Sequence, residues 1–331
     1  MNNFFKILSV FVICVVVASC SKSSSTDPVA LRDYATQYAA DHTAIETYVN
    51  THYMTVNPTN FDVTFTKIPE GGTQQSIRTQ TQYPLKDTTI VRDGFNYVIS
   101  FIKFREGTNK RPTQVDSVNV AYRGINIADA TTGGEDAFDQ AITPLWFKLP
   151  EVITGWSTII PSFRTGTYTP GTGGSGTTFD NFGAGVMFLP SRFGYYSNGA
   201  GNIPSYSPII FSFKLYELRY RDQDGDGVLS KDERKLDPLV NPLIRWKENP
   251  SDNLYKLDNT GAFVTDVPFL DTDGDGYANM YDIDDDGDHV LTRVEIKNPL
   301  GGLYLYNMIP DCGGFTTDPN RVRKHIDPAC H

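Results

Sequence analysis

The sequence predicts an α+β protein in which an antiparallel β-sheet is wrapped on one short helix, followed by an irregular, aspartate-rich C-terminal region. Three observations carry this. Strand-like runs dominate from residue 61 to residue 220. One short helical stretch, Ile153 to Ile160, interrupts them and is ended by Pro161, whose ring cannot continue a helix. After residue 220 the aspartates gather in a repeated Asp/Gly register. With 331 residues the chain exceeds the usual single-domain size, so more than one unit is expected.

The chain opens Met1-Asn2-Asn3-Phe4-Phe5-Lys6, runs apolar to Val17 and closes in Val17-Ala18-Ser19-Cys20. A charged lead, a short apolar core and small residues before the cut make a signal peptide over 1–19, too short to span a bilayer comfortably. Cysteine directly after Val-Ala-Ser resembles a bacterial lipobox, which implies that Cys20 is acylated and anchors the mature chain. Residues 20–28, with Ser21-Lys22-Ser23-Ser24-Ser25, serve as the tether. The implied location is the bacterial cell envelope, lipid-anchored at the outer membrane and facing the periplasm or the cell surface. Stable anchoring takes more than one acyl chain.

The net charge of -10 argues against a nucleic-acid partner, which demands a basic face. Cys14 leaves with the signal, so Cys312 and Cys330 remain in an exported protein, where disulfides persist. Their bridge would close a loop of about seventeen residues and stabilise by roughly 3 kcal/mol. The alternatives are two free thiols, or metal ligation with His325 and His331.

Residues 29–92 form an N-terminal helix and strands. Leu31, Tyr34, Tyr38, His42, Ile45 and Val49 follow the three-four spacing of an amphipathic helix over Val29 to Met54, with Asp27 and Pro28 as cap and first turn. Strands follow at Phe61 to Phe65 and Thr88 to Val91. Tyr97 to Phe104 and Asp116 to Gly124 are the next strands, and Ile209 to Leu215 is another. The glycine-rich run from Thr165 to Gly176 reads as a mobile insertion, because no strand-to-helix context makes it a phosphate cradle. No organic cofactor and no hydrolase chemistry are expected.

Four segments fix the reading of residues 93–220: Val118 to Gly124, Ala137-Phe138-Asp139, Glu151-Val152-Ile153-Thr154-Gly155-Trp156, and Phe188 to Tyr195 leading into the loop Asn198 to Pro204. In this order and spacing they resemble the FKBP family of peptidyl-prolyl cis-trans isomerases, over roughly Phe95 to Tyr220. The resemblance implies an FKBP-like sheet and helix, and a cleft that binds proline-containing polypeptides. By it, Trp156 floors the cleft, with Tyr122, Phe147, Ile153 and Phe211 as walls. Ile153 offers its backbone N–H to a substrate carbonyl, Phe138 and Asp139 match the family's Phe-Asp pair, Tyr195 donates its hydroxyl, and Ile203 caps the cleft. Leu145 stands where the family commonly has an aromatic, and Tyr196 where a glycine usually follows the loop tyrosine. In some relatives an N-terminal helical segment mediates dimerisation, so a homodimer through this helix stands beside packing on its own domain.

Residues 221–331 are read as a calcium-binding region. Asp222, Asp224, Asp226, Val228, Ser230 and Glu233 occupy the ligand positions of an EF-hand loop, with Ser230 at the position that often acts through water. A second loop presents Asp271, Asp273, Asp275 and Asp282, and a third Asp284, Asp286, Asp288 and Glu295, with His289 in place of the turn glycine. Because a strand enters the first loop and Pro238 soon follows it, the array resembles thrombospondin type 3 repeats more than a paired-helix sensor. That implies structural Ca2+. Two functions follow: a membrane-anchored prolyl isomerase assisting the folding of exported proteins, or a non-catalytic binding or scaffolding lipoprotein with a calcium-stabilised adhesive or spacer region.

Overall fold

The computed structural model describes residues 31–128, 136–172, 176–233, 270–319 and 321–330, with two short strands at 256–257 and 263–264. The export segment, Cys20 and its tether, and His331 lie outside the described residues.

Helix α1, Tyr34–Thr51, starts later than the apolar spacing suggests, because Asp33 is the cap: its carboxylate accepts from the Thr36 N–H at 2.9 Å. It stops at His52, where the residues His52–Val56 turn extended and become strand β1, paired antiparallel with β2, Val63–Lys67. The strand expected from Phe61 therefore begins two residues on, and Phe61 sits in the turn at φ 58°.

The main sheet holds β3 (Leu85–Arg92), β4 (Phe95–Arg105), β5 (Ser117–Asn126) and β6 (Ala137–Lys148). A peripheral hairpin of β7 (Thr167–Thr169) and β8 (Thr178–Asp180) flanks the glycine-rich part of the expected insertion, of which residues 173–175 lie outside the described ones. Then come β9 (Gly183–Leu189), β10 (Ile209–Arg219), β11 (Lys256–Leu257) and β12 (Phe263–Val264). The order is β11-β12-β3-β4-β9-β10-β5-β6, antiparallel throughout except for the parallel pairing of β12 with β3. The sheet thus takes in β3, which the sequence grouped with the N-terminal segment, and two strands from beyond residue 221. Helix α2, Thr154–Ile159, runs straight into a 3-10 turn, Ile160–Ser162, so Pro161 tightens the helix end rather than closing it.

Both faces of the sheet are covered. Successive strand residues point to opposite sides, and the burial follows that period. Ile99, Phe101, Met187, Leu189, Phe211 and Phe213 pack with Trp156, Ile159 and Ile160 of the α2 segment. Ile102, Phe104, Val186, Phe188 and Ile210 pack on the other side with Ile45, Tyr48 and Val49 of α1 and with Val63 and Phe65 of β2. The apolar stripe of α1 is therefore spent on its own sheet. Tyr38 adds a hydrogen bond, its hydroxyl accepting from the Val98 N–H at 2.7 Å.

The C-terminal region is irregular. Val228, Ile296 and Ile309 form a small core with Leu303, Tyr304 and Tyr306 against it. Helix α3, Thr292–Glu295, is a single turn. A disulfide joins Cys312 to Cys330, whose Cα atoms lie 5.3 Å apart. Among the described residues no helix is long and apolar enough to cross a membrane.

Candidate functional site

A cleft of about 260 Å³ opens at the start of α2. Its walls are Tyr122 of β5, Asp139 and Phe147 of β6, Phe211 of β10, the Glu151-Val152-Ile153 approach to the helix, and Tyr195 from the loop after β9. Trp156 lies at the bottom, 4% exposed. The rings of Tyr122, Phe147 and Phe211 surround the indole edge-on, with centroids at 5.0, 5.3 and 5.4 Å. Such edge-to-face contacts suit the aromatic quadrupole and hold the floor rigid.

The sheet register explains the convergence. Gly124 stands opposite both Phe211 and Asp139, and Tyr122 opposite Ala141. Register shifts on either side of this segment, between Val120 and Tyr122 and between Gly124 and Ile125, turn the Tyr122 ring toward the helix. Gly124 is required for closeness: a Cβ there would lie 2.6 Å from Phe138 Cζ and 2.7 Å from Phe211 Cε1.

Polar groups are few and placed at the rim. The Tyr122 hydroxyl donates to Asp139 Oδ2 at 2.7 Å. Burial, and then the bond to Asp139, push the Tyr122 hydroxyl well above the usual tyrosine range. Burial, helped by the Asp139 charge, also raises that of Tyr195. Both hydroxyls therefore stay protonated at neutral pH and can donate. The Tyr195 hydroxyl and the Ile153 N–H have no hydrogen-bond partner among the described residues. An N–H at a helix start has no intrahelical acceptor, so the Ile153 donor is built in.

Phe138 and Ile203 do not border the cavity. Phe138 packs edge-on against Phe211 at 5.5 Å, and Ile203 is buried in the same core, paired with Ala200. Glu151 and Val152, part of the stretch singled out in the sequence but given no role of their own there, do border it. Glu151 is held by Lys148 at 2.6 Å and lies 4.0 Å from Arg221, the residue before the first Asp-rich loop. Tyr196 adopts φ 44°, the left-handed conformation for which glycine is the usual choice. The rings of Tyr34 and Tyr206 hold it there, at 5.5 and 5.0 Å.

The three Asp-rich loops share one scaffold. In each, the first Asp accepts from the N–H five residues on: Gly227, Gly276 or His289. The third and fifth residues each accept from the N–H two residues on. The sixth residue is left-handed in all three, at φ 107° for Gly227, 98° for Gly276 and 76° for His289. The third and fifth Asp of each loop thus spend one oxygen on the backbone, whereas Asp222 and Asp271 engage both, accepting from Gly225 and Gly227 and from Gly274 and Gly276. The carboxylates of Asp222, Asp224 and Asp226 converge within 4.8 Å, as do those of Asp271, Asp273 and Asp275 and those of Asp284, Asp286 and Asp288. Val228 is buried in the small core beside the first loop.

The ninth residue acts differently from expectation. Ser230 Oγ, Asn279 Oδ1 and Thr292 Oγ1 each accept from the N–H of their loop's second residue, at 3.1, 3.0 and 3.1 Å. They clasp the loop shut and leave the interior to the carboxylates. Glu233 and Glu295, at the twelfth positions, are buried with both oxygens unpartnered. Asp282 accepts from the Asp284 N–H at 3.0 Å and joins the second loop to the third. Burial, and then neighbouring carboxylates, push Glu233 up to about 10 and Glu295 up to about 8. Carboxylates so placed favour either protons or a hard cation between them.

The structure is a mixed α/β protein whose antiparallel sheet carries few helices and an aromatic cleft. Over 124 residues, 37% of the chain, it is 29% identical to the FKBP-type peptidyl-prolyl cis-trans isomerase FkpA of Aeromonas hydrophila, and it spans 38% of that relative's length. Residues 223–319 match the family model described as BamM C-terminal. A peptidyl-prolyl cis-trans isomerase from Pseudomonas syringae pv. tomato aligns at a TM-score of 0.34 and 19% identity, over 57% of this chain and 98% of that one. FkpA from Escherichia coli aligns at 0.32 and 17%, over 66% and 72%.

Proposed function

We propose that the cleft above Trp156 binds the proline of an X–Pro segment and speeds its cis-trans rotation. The observation that carries this is the aromatic box around the buried indole, with unengaged donors, Tyr195 hydroxyl and Ile153 N–H, at its mouth. The similarity to an FKBP-type isomerase over 124 residues supports it.

Rotation is slow because the amide must lose its partial double-bond character. The reaction needs no nucleophile. Apolar walls strip water from the planar, polar amide, and the donors satisfy the carbonyl as it twists, so the site binds the twisted form better than the flat one. Asp139 fixes the Tyr122 ring through its hydrogen bond and so holds one wall in place.

The same reading makes the protein an envelope component, anchored by lipid on Cys20, that assists proline-containing exported chains. The Asp-rich loops hold structural Ca2+, with Asp222, Asp224, Asp226 and Glu233, Asp271, Asp273 and Asp275, and Asp284, Asp286, Asp288 and Glu295 as the oxygen donors. Their inward oxygens fit a hard cation: Asp224 Oδ2, Asp226 Oδ2, Asp284 Oδ1 and Asp286 Oδ2 are buried without a hydrogen-bond partner.

The test is isomerisation of a short X–Pro peptide by the protein, with Trp156→Ala as control and Tyr195→Phe as a variant that keeps the ring. Acceleration lost in Trp156→Ala and reduced in Tyr195→Phe supports the enzyme. A folded protein that binds the peptide without accelerating it would instead be the binding lipoprotein.

A further inference from the structure

The shared loop scaffold exposes one departure. The second residue of the first loop is Gln223 and that of the second loop is Thr272, both neutral, whereas the third loop has Asp285. Its side chain does not serve its own loop. Asp285 is 1% exposed, neither of its oxygens accepts a hydrogen bond, and one lies within 4.8 Å of oxygens from both Asp226 and Glu233 of the first loop.

The partners are equally unsatisfied. Asp226 and Glu233 are each 2% exposed, and Asp226 Oδ2 and both Glu233 oxygens are orphaned. Three buried carboxylates without donors cannot all be ionised unless a positive charge sits among them. Among the described residues no side chain supplies it. His325 Nε2 comes only to 4.0 Å from Asp285 Oδ2, and its Nδ1 is itself buried without a partner. The backbone around the trio is well held: Arg293, in α3, donates to the Gly225 carbonyl at 2.8 Å, and Val228 and Ile296 share the small core. The gap between the loops is therefore a built feature.

We propose that Asp285 is a ligand lent by the third loop to the first, so that one divalent cation held by Asp226, Glu233 and Asp285 ties the two loops together. The donor set is all hard oxygen, which selects the calcium and magnesium class over softer metals. This rests on the reading that the loops hold calcium and adds that they do not fill independently: emptying the first site frees the third loop as well.

The test is hydrogen exchange of the whole protein at stepped CaCl2 concentrations, followed separately in peptides spanning 221–233 and 284–296. In Asp285→Asn, the calcium midpoint for protecting 221–233 rises about ten- to a hundredfold, the range that lost ligand support gives. In Asp288→Asn, which alters only the third loop's own trio, that midpoint stays where it is in the unaltered protein. Asp285→Asn also removes the cost of burying an acid that has no cation beside it. It therefore melts higher than the unaltered protein in chelator and lower in calcium, a reversal that a purely structural role would not give. Unchanged protection of 221–233 in Asp285→Asn, with calcium still ordering both loops, overturns the shared ligand while leaving calcium binding intact. No calcium-dependent protection in the unaltered protein, tested to roughly ten times the millimolar range of extracellular modules, overturns both.

Discussion

The buried carboxylate of Asp41, in α1, accepts hydrogen bonds from both the backbone N–H and the hydroxyl of Ser191, 150 positions later, at 2.7 and 2.6 Å. Its other oxygen accepts from Gln37 at 2.7 Å. Ser191 opens the turn that leads to Tyr195, so the helix on one face of the sheet sets the position of a cleft residue on the other. Asp41→Ala strands the buried Ser191 donors and should cost about 3 kcal/mol of stability, read as a lower denaturation midpoint. It should also weaken peptide binding through the displaced loop. An unchanged midpoint would remove Asp41 from any supporting role.

The Tyr195 hydroxyl is an unused donor at the mouth of the cleft. Tyr195→Phe keeps the ring, so folding should be unaffected, while kcat/KM for an X–Pro peptide should fall about tenfold, one hydrogen bond's worth of selective stabilisation. An unchanged rate would show that the hydroxyl does not reach the twisting amide.

Gly124→Ala tests the aromatic box itself. The added methyl would overlap the Phe138 and Phe211 rings at 2.6 and 2.7 Å. A loss of about 1 to 3 kcal/mol is expected from overpacking, with weaker peptide binding as Phe211 shifts away from Trp156. Full stability and affinity would mean that the rings repack freely.

Acidity and chelation should interact in the C-terminal region. Without a cation, burial and mutual repulsion hold Asp226 up to about 7, Asp285 up to about 9 and Glu233 up to about 10. These folded-state values lie above the ordinary carboxylate values of the unfolded chain, so across that window the folded state binds more protons than the unfolded one. Stability therefore falls as pH rises. In chelator the region should melt lower at about pH 8 than at about pH 5. In millimolar calcium the cation replaces the protons and the order should reverse. Equal melting in chelator at both pH values would contradict the burial of these acids.

Much of the cleft was legible in local signals. A helix start at Ile153, the strand alternation of Tyr97 to Phe104 and the aromatic at Phe211 each announce themselves within a few residues. Strand β6 did not, because it is an edge strand with two register shifts and Pro144 inside it, so its burial has no clean period. Strand β9 was hidden for the opposite reason. Gly183-Ala184-Gly185 has little strand propensity, and every residue from Gly183 to Leu189 is buried because both faces are covered. In the loops, the aspartate spacing gives the scaffold, but Asp285 occupies a position whose meaning depends on the first loop, some fifty residues earlier in the chain. The clasping role of Ser230 leaves no trace in short-range sequence, whereas the apolar stripe of α1 announces a buried face without saying which surface of the sheet it covers.

That covering sets where the protein can be divided. The stretch likened to FKBP proteins begins near residue 95, yet a fragment cut there would lose α1 and the β1–β2 hairpin and leave Ile102, Phe104, Val186, Phe188 and Ile210 facing water as one apolar sheet surface. Such a surface drives self-association. A fragment that keeps the cleft and stays monomeric therefore has to retain α1 and its cap at Asp33, so the N-terminal helix travels with the cleft rather than standing as a detachable appendage.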